Sequence, residues 1–296
     1  DELVRAWRER MVRLFQQTAG LTREERADLE DLKSYCSQIE EGPSFELRAC
    51  GRMPVLVTAP HSIALLRDGD EPHKVEPRTA ELAEAFAEEL DGSWLTWSAL
   101  QQKRSELVIA CAKRSDTDVG LLLDPRNRDP NYLKEEEVRG NGWHAQMRGA
   151  AARFHSDVGI HACTLHLDVH GSRNPPEHPS YLIIGLGAMQ ARAQSERDPA
   201  LGAVIKTFAG ELRGRLVEVM RSYFISPQAL KDQSMLVSIN TEKAKAGEHV
   251  RFAGLAPSGF LTQTQQAVKF AGFSHAAQLE LSKELRQQLL QNRKFV

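Results

Sequence analysis

The sequence is poor in cysteine and has no hydrophobic run long enough to cross a bilayer. Only 4 of its 296 residues are cysteine, and no Cys-x-x-Cys pair occurs, which argues against a disulfide framework. A membrane-spanning helix needs about 20 consecutive apolar residues, and neither such a stretch nor a secretory signal peptide is present. The chain begins at Asp1 rather than at methionine, which leaves open the removal of an upstream segment.

The sequence also lacks an excess of charge of either sign. Its 38 Lys and Arg residues face 40 Asp and Glu residues, so the net charge does not point to nucleic acid or an anionic membrane as a partner. Hydrophobic residues make up 41% and charged residues 26% of the chain, which is typical of a soluble globular protein. A chain of this length can form one large α/β domain, alone or with a helical addition.

The four cysteines are far apart in the sequence and have apolar neighbours. They are Cys36, Cys50, Cys111 and Cys163. We predict that all four are reduced residues of the core, and that the protein resides in the cytoplasm or a similarly reducing compartment.

Residues 1–43 are predicted to form a pair of helices. Apolar residues recur at helical spacing from Asp1 to Gln17, and the stretch from Thr22 to Glu25 has the form of a capping box that begins a second helix. Two roles fit this pair: an arm for a partner or for oligomerisation, or two helices packed against the main domain. We favour the second role.

Residues 44–296 are predicted to form a three-layer α/β domain. Short β-rich stretches alternate with helical patterns, which indicates a mainly parallel or mixed central sheet with helices on both faces. The predicted strands cover residues 54–59, 94–97, 119–123, 164–171, 181–185 and 276–281. The predicted helices lie near residues 77–90, 144–157 and 201–223, with a last helix from about Lys283.

Four groups of polar residues lie at, or just after, predicted strands. Because ligands of open α/β sheets bind outside the carboxyl ends of the strands, we expect these groups to meet. The groups are His61 and Ser62 with Glu76; Asp124, Arg126, Asn127 and Arg128; Asp168 and His170; and Glu280. Two histidines and one carboxylate, with an open fourth position, form the ligand set of one class of hydrolytic zinc site. A further glutamate would serve as general base, and arginines would hold a substrate carboxylate or an oxyanion.

Each group also has an interpretation without chemistry. Asp168 and His170 share one face of a strand and would suit a hydrogen-bonded pair at its end. In this interpretation His61 ends a strand, Glu76 favours the positive end of a helix, and Glu280 faces solvent. The arginines would then form a surface turn. Three further histidines are alternative ligands: His73, His144 and His166.

Five short motifs follow one another in the chain. They are Pro60-His61-Ser62, Asp124-Pro-Arg-Asn-Arg128, Leu167-Asp168-Val-His170-Gly171, Ser258-Gly-Phe-Leu-Thr262 and Ala277-Gln-Leu-Glu280-Leu-Ser282. In this order, the motifs resemble the signatures of the N-formylglutamate amidohydrolase family. More distantly, they resemble the zinc carboxypeptidases and poly-γ-glutamate hydrolases that share its fold. The resemblance leaves the N-terminal helices uncovered.

The resemblance implies a zinc site. His61 matches the histidine of the family's Pro-His motif, and His170 matches the histidine of its Asp-x-His motif; both are zinc ligands in the family. Glu76 is similar to the carboxylate that supplies the third ligand. Asp168 would orient or support a ligand. The chain differs from the family pattern in the charged loop that follows Ser62.

The resemblance also implies residues for substrate binding and catalysis. Asn127 and Arg128 match a pair that grips the substrate carboxylate, and we place Ser62 beside them as a substrate-binding residue. Glu280 matches the glutamate that activates water and then protonates the leaving amine. Arg128 or Arg126 would hold negative charge, although Arg126 has no clear counterpart in the family.

We therefore expect a zinc-dependent hydrolase that cleaves an amide bond next to a carboxylate, such as that of an N-acyl amino acid or a peptide end. Zinc-bound water would be the nucleophile, and Glu280 would take its proton. One alternative is a non-catalytic binding protein on an inherited hydrolase fold, with the N-terminal helices as its working surface. A second is a metal-independent hydrolase that uses Ser62 or Cys111, although neither residue lies in a Gly-x-Ser-x-Gly pattern.

Overall fold

The computed structural model describes most of the chain, in two compact units. The described residues are 2–16, 22–37, 45–49, 51–114, 116–159, 163–177, 180–223, 232, 235–240, 254–256 and 259–292. The first unit consists of Asp1–Glu46, His61–Val75 and Trp97–Asp129. The second unit consists of Leu47–Pro60, Glu76–Thr96 and Pro130–Val296. The predicted domain boundary at residues 43 and 44 lies outside the described residues.

The described residues form a seven-stranded mixed sheet. Its strands are β1 (Phe45–Ala49), β2 (Val55–Thr58), β3 (Ser93–Trp97), β4 (Leu165–Ser172), β5 (Leu182–Gly185), β6 (Val237–Asn240) and β7 (His275–Ser282). Their order across the sheet is β1-β3-β2-β4-β7-β5-β6. β2 pairs in parallel with β3 and β4, β4 with β7, and β5 with β6, whereas β5 and β7 are antiparallel. The prediction of a mainly parallel or mixed sheet is confirmed.

Helices precede, connect and follow these strands. They are α1 (Glu2–Gln16), α2 (Arg23–Ser37), α3 (Thr79–Glu89), α4 (Ala99–Arg114), α5 (Glu135–Val138), α6 (Gly142–Val158), α7 (Gly187–Ser195), α8 (Pro199–Tyr223), α9 (Gln263–Gln266) and α10 (Lys283–Gln291). Side chains cap several of them: Asn141 accepts a hydrogen bond at the start of α6, and Ser282 does so at the start of α10. None of the described helices is long and apolar enough to span a membrane.

In the second unit, helices cover both faces of the sheet at β4. Side chains alternate between the two faces along a strand. On one face, Val169 shares a buried apolar cluster with Leu82 of α3. On the other face, the ring of His166 contacts the ring of Phe273, which packs edge-on against Phe154 of α6. The predicted three-layer α/β arrangement is therefore present in this unit.

The first unit has its own apolar core, in which α1 takes part. Trp7 and Met11 of α1 are buried with Val108 and Cys111 of α4. The indole Nε1 of Trp7 donates a hydrogen bond of 2.9 Å to the carbonyl oxygen of Leu122. The helical spacing of α1 thus serves packing within this unit. A role in oligomerisation stays a prediction.

The predicted strand at residues 119–123 is wrong. The structure has a 3₁₀ turn at Val119–Leu121, because the side chain of Asp118 accepts a hydrogen bond from the backbone N–H of Gly120 and caps the turn. The two leucines that follow, Leu122 and Leu123, are buried in the core of the first unit. The short apolar run thus packs as a compact turn, not as a strand.

The prediction of four core cysteines is wrong at Cys163. This residue is exposed in the connection that precedes β4, with its Sγ 3.3 Å from Nδ1 of His275. Cys111 is buried as predicted, and neither residue forms a disulfide. The side chains of Cys36 and Cys50 lie outside the described part of the chain.

Candidate metal centre

One face of β4 presents a row of buried polar side chains. His166, Asp168 and His170 alternate with apolar residues along the strand, and all three are buried. Parallel pairing places Thr58 of β2 opposite Asp168. The Thr58 hydroxyl donates a hydrogen bond of 2.8 Å to Oδ1 of Asp168 and lies 2.9 Å from Nε2 of His166. The strand pairing therefore fixes the Asp168 carboxylate in place.

Carboxylates face both ring nitrogens of His170. Oδ2 of Asp168 lies 2.9 Å from Nε2, and Oε2 of Glu76 lies 3.3 Å from Nδ1. The same Glu76 oxygen accepts a hydrogen bond of 2.8 Å from the backbone N–H of Gly171. Burial alone would lower the pKa of His170, but the charges of Asp168 and Glu76 outweigh it and raise that pKa well above its ordinary value. In the metal-free protein, the two carboxylates therefore favour the protonated ring, a position that a bound cation would take from the proton.

His61 lies in a 3₁₀ turn directly after β2, and its ring is buried. Its Nε2 lies 3.0 Å from Oδ1 of Asp129, whose Oδ2 accepts a hydrogen bond of 2.6 Å from Nε of Arg67. The ring of His73 stacks on that of His61 with 3.7 Å between centroids. Burial raises the pKa of Asp129, but His61, Arg67 and His73 outweigh it and hold that pKa below its ordinary value. Asp129 is therefore a buried carboxylate ion.

The three residues that the resemblance assigns to zinc lie close together. One ligand atom from each of His61, Glu76 and His170 lies within 4.8 Å of the other two. No second group of three such residues with this spacing occurs among the described residues. Imidazole nitrogens and carboxylate oxygens are the usual donors to zinc. The structure therefore contains a candidate metal site.

The surroundings of the two imidazoles also fit a metal. Nε2 of His170 faces Asp168, and Nε2 of His61 faces Asp129. A histidine that ligates a metal through one nitrogen usually donates its other N–H to a carboxylate or carbonyl, which fixes the ring's orientation. The buried aspartates provide that partner for both rings. Asp168 lies beside His170, and its predicted role in supporting a metal ligand stays a prediction.

Glu280 lies beside His170 in the sheet. The parallel pairing of β4 with β7 places the two residues directly opposite each other, so their side chains point to the same face. Glu280 is buried, which excludes the alternative that it faces solvent. Nε2 of Gln278 donates a hydrogen bond of 2.6 Å to Oε1 of Glu280. The carboxylate predicted to act as general base is therefore held next to a candidate metal ligand.

The predicted arginines lie in the first unit, each paired with an acidic residue. Arg126 contacts both carboxylate oxygens of Asp124, at 3.0 Å from Nε and 2.7 Å from Nη2. Arg128 forms an ion pair with Asp68. Both guanidinium groups are partly exposed. The roles of Arg126 and Arg128 in catalysis and substrate binding stay predictions.

The remaining predicted substrate-binding residues are Asn127 and Ser62. Asn127 is buried, with its Nδ2 3.5 Å from Oε1 of Gln101. Ser62 is half-buried at the end of the turn that carries His61. Their contact with a substrate stays a prediction. Ser258, in the fourth motif, lies outside the described residues.

None of the three alternative histidines belongs to the group of candidate ligands. His73 stacks on His61, and His166 bonds to Thr58. His144 packs edge-on against Phe270, with 6.4 Å between ring centroids. Burial lowers the pKa of both His144 and His166 to about 4. These two residues are neutral histidines of the core.

Sequence reasoning missed Arg286. Its buried guanidinium donates from Nη1 to the backbone carbonyl of Ser172 at 3.2 Å. Burial lowers the pKa of Arg286, and the negative charges of Glu76 and Glu280 oppose that shift. Gly171 makes room for it, since a Cβ there would lie 2.5 Å from Nη1. In the sequence, the glycine after His170 indicates that another group packs closely against the strand at this position, but it does not identify that group as Arg286.

No family model and no curated protein matches the chain. The chain is similar to the solved structure of N-formylglutamate amidohydrolase from Ralstonia eutropha JMP134, at 12% identity over 86% of this chain and 98% of that one, with a TM-score of 0.38. It is also similar to a bacteriophage poly-gamma-glutamate hydrolase, at 14% identity over 83% of this chain and 74% of that one, with a TM-score of 0.32. The five sequence motifs resemble the signatures of families with these two names. At these TM-scores the likenesses carry no weight for the activity of this chain.

Proposed function

We propose that the protein is a zinc-dependent hydrolase that cleaves an amide bond next to a carboxylate. The observation that carries the proposal is the close approach of donor atoms from His61, Glu76 and His170. These three side chains would hold the metal. The substrate class is an N-acyl amino acid or the end of a peptide, as the resemblance implies.

The buried aspartate beside His170 supports this assignment. Asp168 lies at Nε2 of the ring, so Nδ1, on the side of Glu76, is the nitrogen available to a metal. When bound, zinc would polarise a carbonyl group and lower the pKa of water to about 7. The chain's part is to present two imidazoles and one carboxylate in fixed orientations.

Glu280 is the proposed general base. It would take a proton from the attacking water and deliver it to the amide nitrogen as the carbon–nitrogen bond breaks. Its place opposite His170 on β7 and its hydrogen bond from Gln278 support this role, because both hold the carboxylate in one orientation. A base of this kind contributes about 10²- to 10⁴-fold to a rate.

An arginine of the segment from Asp124 to Arg128 is the proposed partner of the substrate carboxylate. Guanidinium groups bind carboxylates through two parallel hydrogen bonds, and Arg126 already binds the carboxylate of Asp124 in this way. Arg128 holds an exposed acidic partner, Asp68. A substrate carboxylate would compete with that partner.

Metal analysis tests the proposal directly. The purified wild-type protein, supplied with zinc and dialysed, should retain about one zinc ion per chain, since the site has three protein donors. His170→Ala should lose it. His155→Ala is the control, because His155 bonds to the carbonyl of Gly272 and is not among the candidate ligands. A wild-type protein without zinc, or full zinc retention by His170→Ala, would overturn the assignment, and the first result would favour the non-catalytic binding protein.

Glu280→Gln separates the base from the ligands. On an N-acyl amino acid that the wild type hydrolyses, this variant should retain zinc and lose about 10²- to 10⁴-fold in kcat. Glu81→Gln is a control, because Glu81 is exposed and pairs with Arg78. A Glu280→Gln variant with the wild-type rate would remove Glu280 from the mechanism and leave the metal site standing.

A further inference from the structure

The chain after Ser62 folds onto the segment that ends at Asp129. Leu65 and His73 exchange two backbone hydrogen bonds of 3.2 and 2.8 Å. Between them, Leu66 bonds to the backbone on either side of Arg128, at 3.0 and 2.8 Å. These bonds align the charged loop with the segment from Asp124 to Asp129. The loop that departs from the family pattern is therefore an ordered part of the first unit.

We propose that Asp129 is a positioning residue for the candidate metal ligand His61, an inference that rests on the proposed function. Oδ1 of Asp129 lies 3.0 Å from Nε2 of His61, and both side chains are buried. Oδ2 of Asp129 accepts a hydrogen bond of 2.6 Å from Arg67. Because the guanidinium of Arg67 occupies Oδ2, Oδ1 of Asp129 is the acceptor that faces the ring, and His61 donates its Nε2–H to it. The lone pair at Nδ1 is then the one that binds a metal.

The loop supplies the two other contacts that this arrangement requires. A buried carboxylate without a counter-charge is costly, and Arg67 provides that charge independently of the protonation state of His61. The ring of His73 stacks on His61 with an interplanar angle of 24°, which restricts rotation of the ligand ring. Asp129, Arg67 and His73 thus fix the tautomer and the plane of one imidazole.

The other candidate ligand shows the same construction. Nε2 of His170 lies 2.9 Å from Oδ2 of Asp168, which is itself fixed by Thr58. Asp168 and Asp129 lie on different elements and in different units. A buried aspartate thus lies at Nε2 of both rings. This recurrence is expected if the aspartates orient metal ligands, and it is not expected if Asp129 serves only as the salt-bridge partner of Arg67.

Zinc affinity tests the role of Asp129. Competition with a chromophoric chelator should give a dissociation constant about 10- to 100-fold higher for Asp129→Asn than for the wild type, the usual effect of losing such a partner. The matched control is Asp124→Asn, which also removes a buried aspartate paired with an arginine in the same segment. Its zinc affinity should stay at the wild-type value.

The tautomer of His61 provides a second test that needs no variant of Asp129. Long-range proton–nitrogen NMR of the ¹⁵N-histidine-labelled, zinc-free wild type should show a proton at Nε2 of His61, assigned by the loss of its signals in His61→Gln. A neutral ring protonated at Nδ1 instead would overturn the proposal, even if Asp129→Asn fails to fold.

The two proposals fail in different ways. A wild-type protein that binds no zinc would overturn the proposed function. Wild-type binding of one zinc ion, together with an Asp129→Asn variant that binds it equally tightly, would overturn only the positioning role of Asp129.

Discussion

Near the end of β4, the structure leaves no room for a side chain at Gly171 unless Arg286 moves. A Cβ at this position would lie 2.5 Å from Nη1 and 2.8 Å from Cζ of Arg286. Movement of the guanidinium away from such a Cβ would disturb its hydrogen bonds to the carbonyls of Ser172 and Leu281. We therefore expect Gly171→Ala to lower the free energy of unfolding by about 1–3 kcal/mol, measured by urea titration.

Gly149→Ala is the control for that substitution. Gly149 lies within α6, and nothing lies within 4 Å of a Cβ built on it. Alanine in the middle of a helix is favoured over glycine by about 1 kcal/mol, so this variant should be as stable as the wild type or more so. Equal stabilities of the two alanine variants would show that the guanidinium of Arg286 can move away without a measurable cost in free energy.

Single residues of the site differ in how far the sequence reveals them. Asp168 was predictable, because an Asp-x-His pair on a strand shares one face of the sheet. Asp129 was not, because its contact with His61 joins residues 68 positions apart and no local pattern marks it. Arg286 was missed for the same reason, as its partner Ser172 is 114 positions away.

Trp7 packs helix α1 into the apolar core of the first unit. Trp7→Ala removes a fully buried indole and leaves the carbonyl of Leu122 without its donor. We expect it to lower the free energy of unfolding by about 3–5 kcal/mol. Thermal unfolding followed by circular dichroism measures the change.

Leu3→Ala on the same helix is the comparison for Trp7→Ala. Leu3 has 67% of its surface exposed, so its truncation should change the stability by no more than about 0.5 kcal/mol. If Trp7→Ala unfolded at the same temperature as Leu3→Ala, packing of α1 in the first unit would contribute nothing measurable.

Elements with a regular apolar pattern were predicted well, and those without one were not. The buried strands β2, β4 and β7 follow from short β-rich runs. Helix α4 was not predicted, because its buried face begins with Gln101, Arg104 and Ser105, which conceal the helical period. A short apolar run at residues 119–123 fits a strand and a turn equally well by periodicity alone.

Two buried histidines make the stability of the metal-free protein depend on pH below 6.5. Burial lowers the pKa of His144 and His166 to about 4, from 6.5 for an exposed ring. Between these values the unfolded chain binds more protons than the folded protein, so stability falls as the pH decreases from 6.5 to 4. Each unit of pKa difference corresponds to about 1.4 kcal/mol.

The melting temperature of the metal-free protein should therefore decrease steadily between pH 6.5 and pH 4.5. The raised pKa of His170 acts in another window: it stabilises the folded state at low pH, and that contribution is lost as the pH rises above 6.5. His144→Leu should reduce the slope below pH 6.5. An unchanged slope in that variant would show that His144 is not the titrating group.

The order of the strands has a consequence for biosynthesis. β7 is the last of the described strands along the chain, yet it lies inside the sheet between β4 and β5. A nascent polypeptide whose residues 275–282 are still within the ribosome exit tunnel lacks the strand that joins β4 to β5. It carries the proposed ligands without the proposed base. The proposed activity would then be withheld until β7 has left the tunnel and entered the sheet between β4 and β5.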